Sequence, residues 1–102
     1  MRLALAACLL ASPALAYEDG LKVAMSLGNV IGSAEGCVLK LSDAGVSAYI
    51  NATVDPADIS FPASLQSIVL IQKDYIADVS GAALAAHCEA VKRTASHYGL
   101  IE

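Results

Sequence analysis

The adjacent residues His87 and Cys88 are the part of this sequence whose side chains could most readily do chemistry. A histidine and a cysteine can act as a nucleophile with its base, or as half of a metal site. The alanine-rich surroundings predict a helix, in which successive side chains diverge by about 100°. We therefore expect neither a shared proton nor a shared metal ion between them, and His87 is read as a bystander to Cys88.

Other candidate metal ligands are no better arranged. His87 and His97 lie ten positions apart, on different faces of one predicted helix, and the chain has no His-x-x-x-His or Cys-x-x-Cys spacing. The prediction is two ordinary, partly exposed histidines, with no metal, no cofactor and no enzymatic activity. Two acidic pairs that could hold a cation weakly are read as solvated surface charge, namely Asp55 with Asp58 and Asp74 with Asp78.

Residues 1–16 have the pattern of a secretory signal peptide. Arg2 is a short basic region, residues 3–10 are apolar, and Ala14-Leu15-Ala16 has the small-x-small form of a cleavage site. Cleavage is predicted before Tyr17, and the shortness of the signal points to a bacterial periplasm or secretion. The apolar run is shorter than the roughly 18 residues that a membrane-spanning helix needs, so no span is expected.

A second interpretation of the same region makes Cys8 a lipidated residue. Residues 5–8 resemble a lipoprotein processing box. Only six residues precede Ala7-Cys8, which is too few for a normal apolar region. A lipid anchor at Cys8 is therefore not expected.

Removal of the signal leaves two cysteines, Cys37 and Cys88, in a chain bound for an oxidising compartment. An even pair in a small exported domain predicts a disulfide. The two positions are 51 residues apart, a loop length for which the chain-entropy treatment gives about 4 kcal/mol of stabilisation. A domain this small gains as much from such a crosslink as from its core.

The charge distribution argues against binding to nucleic acid. The whole chain has a formal net charge of −4, and loss of Arg2 with the signal makes it one unit more acidic. The remaining basic residues form no patch that could contact a phosphate backbone. They are Lys22, Lys40, Lys73, Lys92 and Arg93.

Helical spacing and end signals predict an all-α fold, a small bundle of three to four helices clamped by one disulfide. The predicted helices cover residues 20–33, 42–53, 60–79 and 82–98. β-Branched residues leave a strand open as an alternative for the second segment. The third is the most apolar and is predicted to form the centre of the bundle. Gly36 and Gly99 are predicted to end the first and last helices.

The first predicted helix carries a stripe of small residues. Ala24, Gly28 and Gly32 recur every fourth position, and Gly36 continues the series. Each interior glycine costs about 1 kcal/mol relative to alanine, so this helix forms only if a neighbour packs closely on the stripe. Residues 17–36 are accordingly predicted to be an N-terminal arm or weak helix, residues 37–102 the disulfide-clamped domain, and the stripe a candidate interaction surface.

Several features together resemble small exported alphaproteobacterial helical proteins of unknown function. They are the short signal, Cys37 before a helix that starts at Ser42-Asp43, and Cys88 in the run Ala85-Ala86-His87-Cys88. The resemblance covers residues 37–101 and implies a compartment and a fold, but no activity. The cysteine separation is also similar in architecture to small periplasmic acid-resistance chaperones, although this chain lacks their dense scatter of lysines.

Two functions are compatible with these patterns. The first is a non-enzymatic periplasmic or secreted interaction module that uses the first helix as a detachable contact surface for a protein partner. The alternative is an acid-stress periplasmic chaperone. The chain has ten acidic residues, whose loss of charge at low pH would leave it positive and loosen its packing.

Overall fold

The computed structural model of the chain describes residues 17–102, and the all-α prediction is confirmed. The predicted signal peptide and Cys8 lie outside the described residues. Four helices follow one another, and within the described part no helix is long and apolar enough to cross a membrane. The strand alternative for the second segment is wrong, since that segment is helical. The helices are α1 (Gly20–Ala34), α2 (Asp43–Thr53), α3 (Phe61–Asp78) and α4 (Gly81–His97).

Helix α1 forms the centre of the molecule. Its N-terminus is capped by Asp19, whose side chain accepts a hydrogen bond from the Leu21 N–H at 3.0 Å. Val23, Leu27 and Val30 are at most 1% exposed. Residues 20–34 therefore lie inside the bundle as a packed helix, and not as a detached arm.

The prediction that the third helix forms the centre is wrong. Of the residues in α3, Phe61 alone is buried, while Leu70 and Ile71 are 56% and 60% exposed. Helix α3 packs along α1 with one face, whereas α1 is also contacted by α4. A helix of small side chains admits neighbours on several sides, so α1 is more deeply buried than the more apolar α3.

The stripe of small residues on α1 is the surface on which α3 packs. A Cβ atom at Gly28 would lie 2.5 Å from Ile68 Cγ2, and one at Gly32 would lie 2.5 Å from Gln72 Cβ and 2.7 Å from the Val69 carbonyl oxygen. Gly36 similarly faces Ile76. The residue numbers of the two contacting partners increase together along α1 and α3, so the two helices run in the same direction.

This packing corrects the expectation that Ala24, Gly28 and Gly32 form a surface for an external partner. All three residues are buried, and Gly28 and Gly32 are covered by α3 of the same chain. The physical reason is the glycine content of α1, which also makes this helix weak in isolation. The glycines allow α3 to approach α1 closely, and that approach stabilises α1.

The turn that ends α1 has its left-handed residue at Val38 rather than at the predicted Gly36. The Val38 N–H donates to the Glu35 carbonyl at 3.2 Å, and the Leu39 N–H donates to the Ala34 carbonyl at 2.8 Å. This is a Schellman motif, and its left-handed position is occupied by Val38, with φ of 57°. The position usually holds glycine, because a β-branched side chain is strained there.

Helix α4 ends with the same motif at the predicted glycine. Gly99 has φ of 70°, its N–H donates to the Ser96 carbonyl, and the Leu100 N–H donates to the Ala95 carbonyl. The segments that follow the two motifs then meet in a short antiparallel bridge between Leu41 and Ile101. The ends of α1 and α4 are thereby tied together beside the start of α2.

Helix α2 begins as the sequence predicts, with Ser42 accepting a hydrogen bond from the Gly45 N–H at 3.0 Å. It contributes Tyr49 to the hydrophobic core, next to Val54 at its C-terminal end. Helix α4 contributes Val91 and Ala95 to the same core. The core is therefore built around α1 from side chains that include one tyrosine of α2 and two small residues of α4.

Candidate functional site

The predicted disulfide between Cys37 and Cys88 is confirmed. The two Sγ atoms are 2.07 Å apart and the two Cα atoms 5.3 Å apart. The bond joins the turn that follows α1 to the middle of α4. It holds the central helix against the last one, which is the structural role that the cysteine spacing indicated.

His87 is not the bystander that the sequence suggested. Its Nε2 lies 3.0 Å from the Ser33 Oγ, and its ring centroid lies 5.3 Å from that of Tyr75. Ser33 belongs to α1 and is fully buried, while Tyr75 belongs to α3. His87 therefore links α4 to both neighbouring helices, next to the disulfide. A partial signal was present in the sequence, because Ser33 lies one helical turn before Cys37 and His87 is adjacent to Cys88, so a bond between the two cysteines brings Ser33 and His87 near each other.

One of the two acidic pairs interpreted as surface charge, Asp55 with Asp58, forms local hydrogen bonds. Asp55 Oδ1 accepts a hydrogen bond from the Ala57 N–H, and Asp58 Oδ1 accepts from the N–H and the hydroxyl of Ser60. These carboxylates order the turn between α2 and α3. Within residues 17–102, no three histidine, cysteine or acidic side chains are grouped as a metal site would require.

The disulfide lines a surface cleft of about 390 Å³ between the end of α1 and α4. Lys40 and Glu102, both in its wall, form an ion pair with 3.3 Å between Nζ and Oε1. Lys92 and Glu89 lie on the α4 side of the cleft. The charges of this cleft are thus balanced.

A second surface feature is the α1–α3 groove, a depression formed by two adjoining cavities of about 360 and 220 Å³. The larger one is lined by five apolar residues together with Gln66 and Lys73. The smaller one, further along both helices, is lined by Glu35, Ile76 and Ala77, and also by Lys73. The apolar residues of the larger cavity are Ile31, Pro62, Leu65, Val69 and Leu70.

The composition of α3 explains why this groove is apolar. Residues 61–72 of the helix carry no charged side chain, and Lys73 is the first. Only one face of this stretch is used against α1, so Leu70 stays more than half exposed within the groove. Sequence reasoning took the uncharged run as a sign of burial and therefore missed this surface.

Tyr49 has a shifted pKa because of its position in the core. Desolvation by burial raises the pKa of Tyr49 above its usual 10.0, and the neighbouring Tyr98 and Glu18 raise it further. The ring centroids of Tyr49 and Tyr98 are 4.9 Å apart. They lie where the segment just before α1, which contains Glu18, meets α2 and the end of α4. The shift thus reflects packing in the core.

Comparison of the chain with models of protein families, with curated proteins and with solved structures found no match. Function must therefore be argued from this chain's own surface. Of the features described, the disulfide cleft has balanced charges and His87 is engaged within the bundle. The α1–α3 groove is the surface whose apolar lining is left uncovered by the described residues 17–102.

Proposed function

We propose that this protein is a non-enzymatic interaction module of the bacterial periplasm or of the secreted fraction, and that it binds protein through the α1–α3 groove. The observation that carries the proposal is the exposure of Leu70, 56%, in a groove whose longer part contains a single charged residue, Lys73. Contiguous exposed apolar surface with a charged edge is typical of protein contact sites.

The proposal keeps the function class that the sequence suggested and changes the surface. The small-residue stripe of α1 is occupied by α3, so the contact falls on the outer side of the α1–α3 pair. The disulfide and the His87–Ser33 hydrogen bond hold α4 to α1. A surface on such a clamped scaffold loses little conformational entropy when it binds.

Photo-crosslinking in the producing cell tests this proposal. A photoreactive amino acid at position 70 lies in the groove, whereas one at position 71 is about 100° away around α3 and serves as a control of nearly equal exposure. We expect protein adducts from position 70 and few from position 71. The absence of adducts at position 70, or identical adducts at both positions, would refute the groove as a contact site.

The acid-stress chaperone is a second candidate, and one specific observation favours it. Asp19, Asp55 and Asp58 each accept a backbone N–H hydrogen bond at the start of a helix or turn. Strong acid removes the charge of carboxylates in general, and charge-assisted hydrogen bonds and helix-end contacts of this kind are weaker without it. The bundle would then loosen around its apolar groove.

Aggregation of an acid-sensitive client protein distinguishes the two candidates. If this protein suppresses aggregation of the client at a pH of about 2–3 but not at pH 7, the chaperone function is supported, because only acid would release the apolar surface. Equal behaviour at the two pH values excludes it. The interaction module does not require any such pH dependence.

A further inference from the structure

We infer that the partner of the α1–α3 groove is a second copy of this chain, bound as a two-fold symmetric dimer in which α1 of each copy faces α3 of the other. The inference rests on the proposed function, since it names the occupant of the same groove. It is carried by the arrangement of two charges, Glu35 and Lys73, on opposite walls of the groove.

Glu35 and Lys73 have opposite charge and lie at nearly the same position along the axes of the two helices. Glu35 lies at the end of α1 and Lys73 on α3, and both line the smaller cavity. Because Gly32 meets Gln72 and Gly36 meets Ile76, Glu35 lies level with about residue 75 of α3. The two positions therefore differ by about 3 Å along the helix axes, within the reach of a lysine side chain.

Neither charge is neutralised by a group of residues 17–102. Both residues are exposed, and the one ion pair within 4.0 Å in the described part of the chain is Lys40–Glu102. The opposite walls of the groove thus present a negative and a positive group to whatever binds there.

Two-fold symmetry makes this arrangement self-complementary. A two-fold axis parallel to the helices and lying over the groove places α1 of one copy opposite α3 of the other. Lys73 of each copy then faces the partner's Glu35, and the interaction occurs twice. A dimer with the helices reversed would place α1 opposite α1 and α3 opposite α3, so that neither charge would face its opposite, and the charges therefore also favour the parallel orientation.

The apolar part of the groove supplies the attraction. Leu65, Val69 and Leu70 line the larger cavity with Ile31, and Lys73 stands at the boundary with the charged part. Interface cores are depleted in charge and have polar groups at the edge, as here. In the dimer Leu70 would be covered by the partner's α1.

The size of the groove indicates a weak dimer. From Pro62 to Ala77 it spans about 22 Å of α3, and two helices side by side are about 20 Å wide, which gives a contact of about 440 Å² per copy. Stable complexes bury about 800 Å² per partner. The net charge of −4 adds repulsion, which salt reduces. The dimer is therefore expected at high micromolar protein and physiological salt.

Sedimentation velocity of the disulfide-bonded protein over a range of concentrations tests the dimer. We expect a concentration-dependent shift from monomer to dimer, and at least a tenfold weaker association for Leu70→Glu. Ile71→Glu is the matched control, since it adds the same charge to an equally exposed position outside the groove. A parent protein that stays monomeric at about 1 mM, or equal effects of the two substitutions, would overturn the inference.

Charge reversal gives the sharper test. Lys73→Glu and Glu35→Lys should each weaken self-association, because each places like charges opposite each other. A mixture of the two variants restores both pairs and should associate more strongly than either variant alone. The control mixture of Lys92→Glu with Glu89→Lys, which lie on α4, should not. No gain in the first mixture, with both variants folded by circular dichroism, would overturn the inference.

The outcomes separate the dimer from the proposed function. A monomer in solution together with adducts to a different protein from position 70 refutes the second copy and leaves the interaction module in place. A dimer with the expected charge behaviour supports both. Neither a dimer nor any adduct would refute both.

Discussion

At the scale of single residues, Val38 and Gly99 allow a comparison of a valine and a glycine in the same backbone conformation. Val38 and Gly99 occupy the same left-handed position of two Schellman motifs, with φ of 57° and 70°. Val38 is 90% exposed, so its side chain gains almost nothing from burial. Its backbone strain of about 1–2 kcal/mol is therefore uncompensated within the chain.

Val38→Gly should stabilise the protein. Relief of the strain of about 1–2 kcal/mol is offset by about 0.5–1 kcal/mol of extra unfolded-state freedom, which leaves a gain of about 0.5–1 kcal/mol. Gly99→Val is the matched control, since nothing lies within 4 Å of a Cβ at that position. It should lose about 1–2 kcal/mol through the backbone alone. Urea unfolding measures both, and a destabilised Val38→Gly variant would contradict the assignment of the strain.

The raised pKa of Tyr49 predicts that the protein loses stability in alkali. Its pKa is raised in the folded protein, above all by desolvation, so the neutral form is favoured by folding. The corresponding stability is complete below the unfolded pKa of about 10 and is lost as the pH rises through the folded value. Tyr49→Phe should make unfolding less sensitive to pH between 9 and about 11, and an unchanged pH profile would show that another group is responsible.

At the scale of the helices, the α1–α3 contact depends on the absence of side chains. Gly28 and Gly32 bring α3 so near that a Cβ at either position would overlap Ile68, Gln72 or Val69. The close approach turns a sequence with poor helix propensity into the most buried helix of the fold. The same approach leaves the outer side of α3, including Leu70, uncovered by the part of the chain that the structure describes.

Gly32→Ala should therefore destabilise the protein although alanine is the better helix former by about 1 kcal/mol. The new methyl group would meet the Val69 carbonyl oxygen at 2.7 Å, and a backbone atom cannot rotate away. We expect a net loss of about 1–3 kcal/mol in urea unfolding, as in other overpacked interiors. Ser47→Ala, at an exposed position of α2, is the control and should change the free energy of unfolding little. A stabilised Gly32→Ala variant would show that α1 and α3 separate readily.

At the scale of the whole molecule, one crosslink supports a core of short side chains. The largest fully buried residues include Leu27, Leu100, Val23 and Val30, and none is aromatic. Such a core stabilises a small domain only modestly. The Cys37–Cys88 disulfide joins the central helix to the last one, so it restricts the unfolded chain over most of its described length.

The double substitution Cys37→Ser with Cys88→Ser should lower the free energy of unfolding by about 4 kcal/mol, because the loop closed by the bond contains about 50 residues. Urea unfolding of the oxidised, reduced and substituted proteins measures this. The reduced parent and the double variant should agree closely. Intact mass before and after reduction verifies the bond in the starting material and also tests the predicted cleavage before Tyr17.

Local sequence patterns were enough to predict most of the secondary structure. Ser42 and Gly99 are correctly placed at helix ends, because capping depends on a few adjacent residues. Val38 was missed, since a valine carries no signal for a left-handed turn. The hydrogen bond between His87 and Ser33 was also missed, because it joins residues 54 positions apart.

The sequence by itself determined the four helices, their order and the pairing of Cys37 with Cys88, because these depend on periodicity, end signals and a cysteine count. Only the tertiary structure decided which helix lies at the centre and which apolar face stays open. Hydrophobicity favoured α3, but burial depends on how closely neighbours can approach, and the glycines of α1 allow the closest approach. For this reason the proposed contact surface is the groove lined by Leu70 and not the stripe on α1.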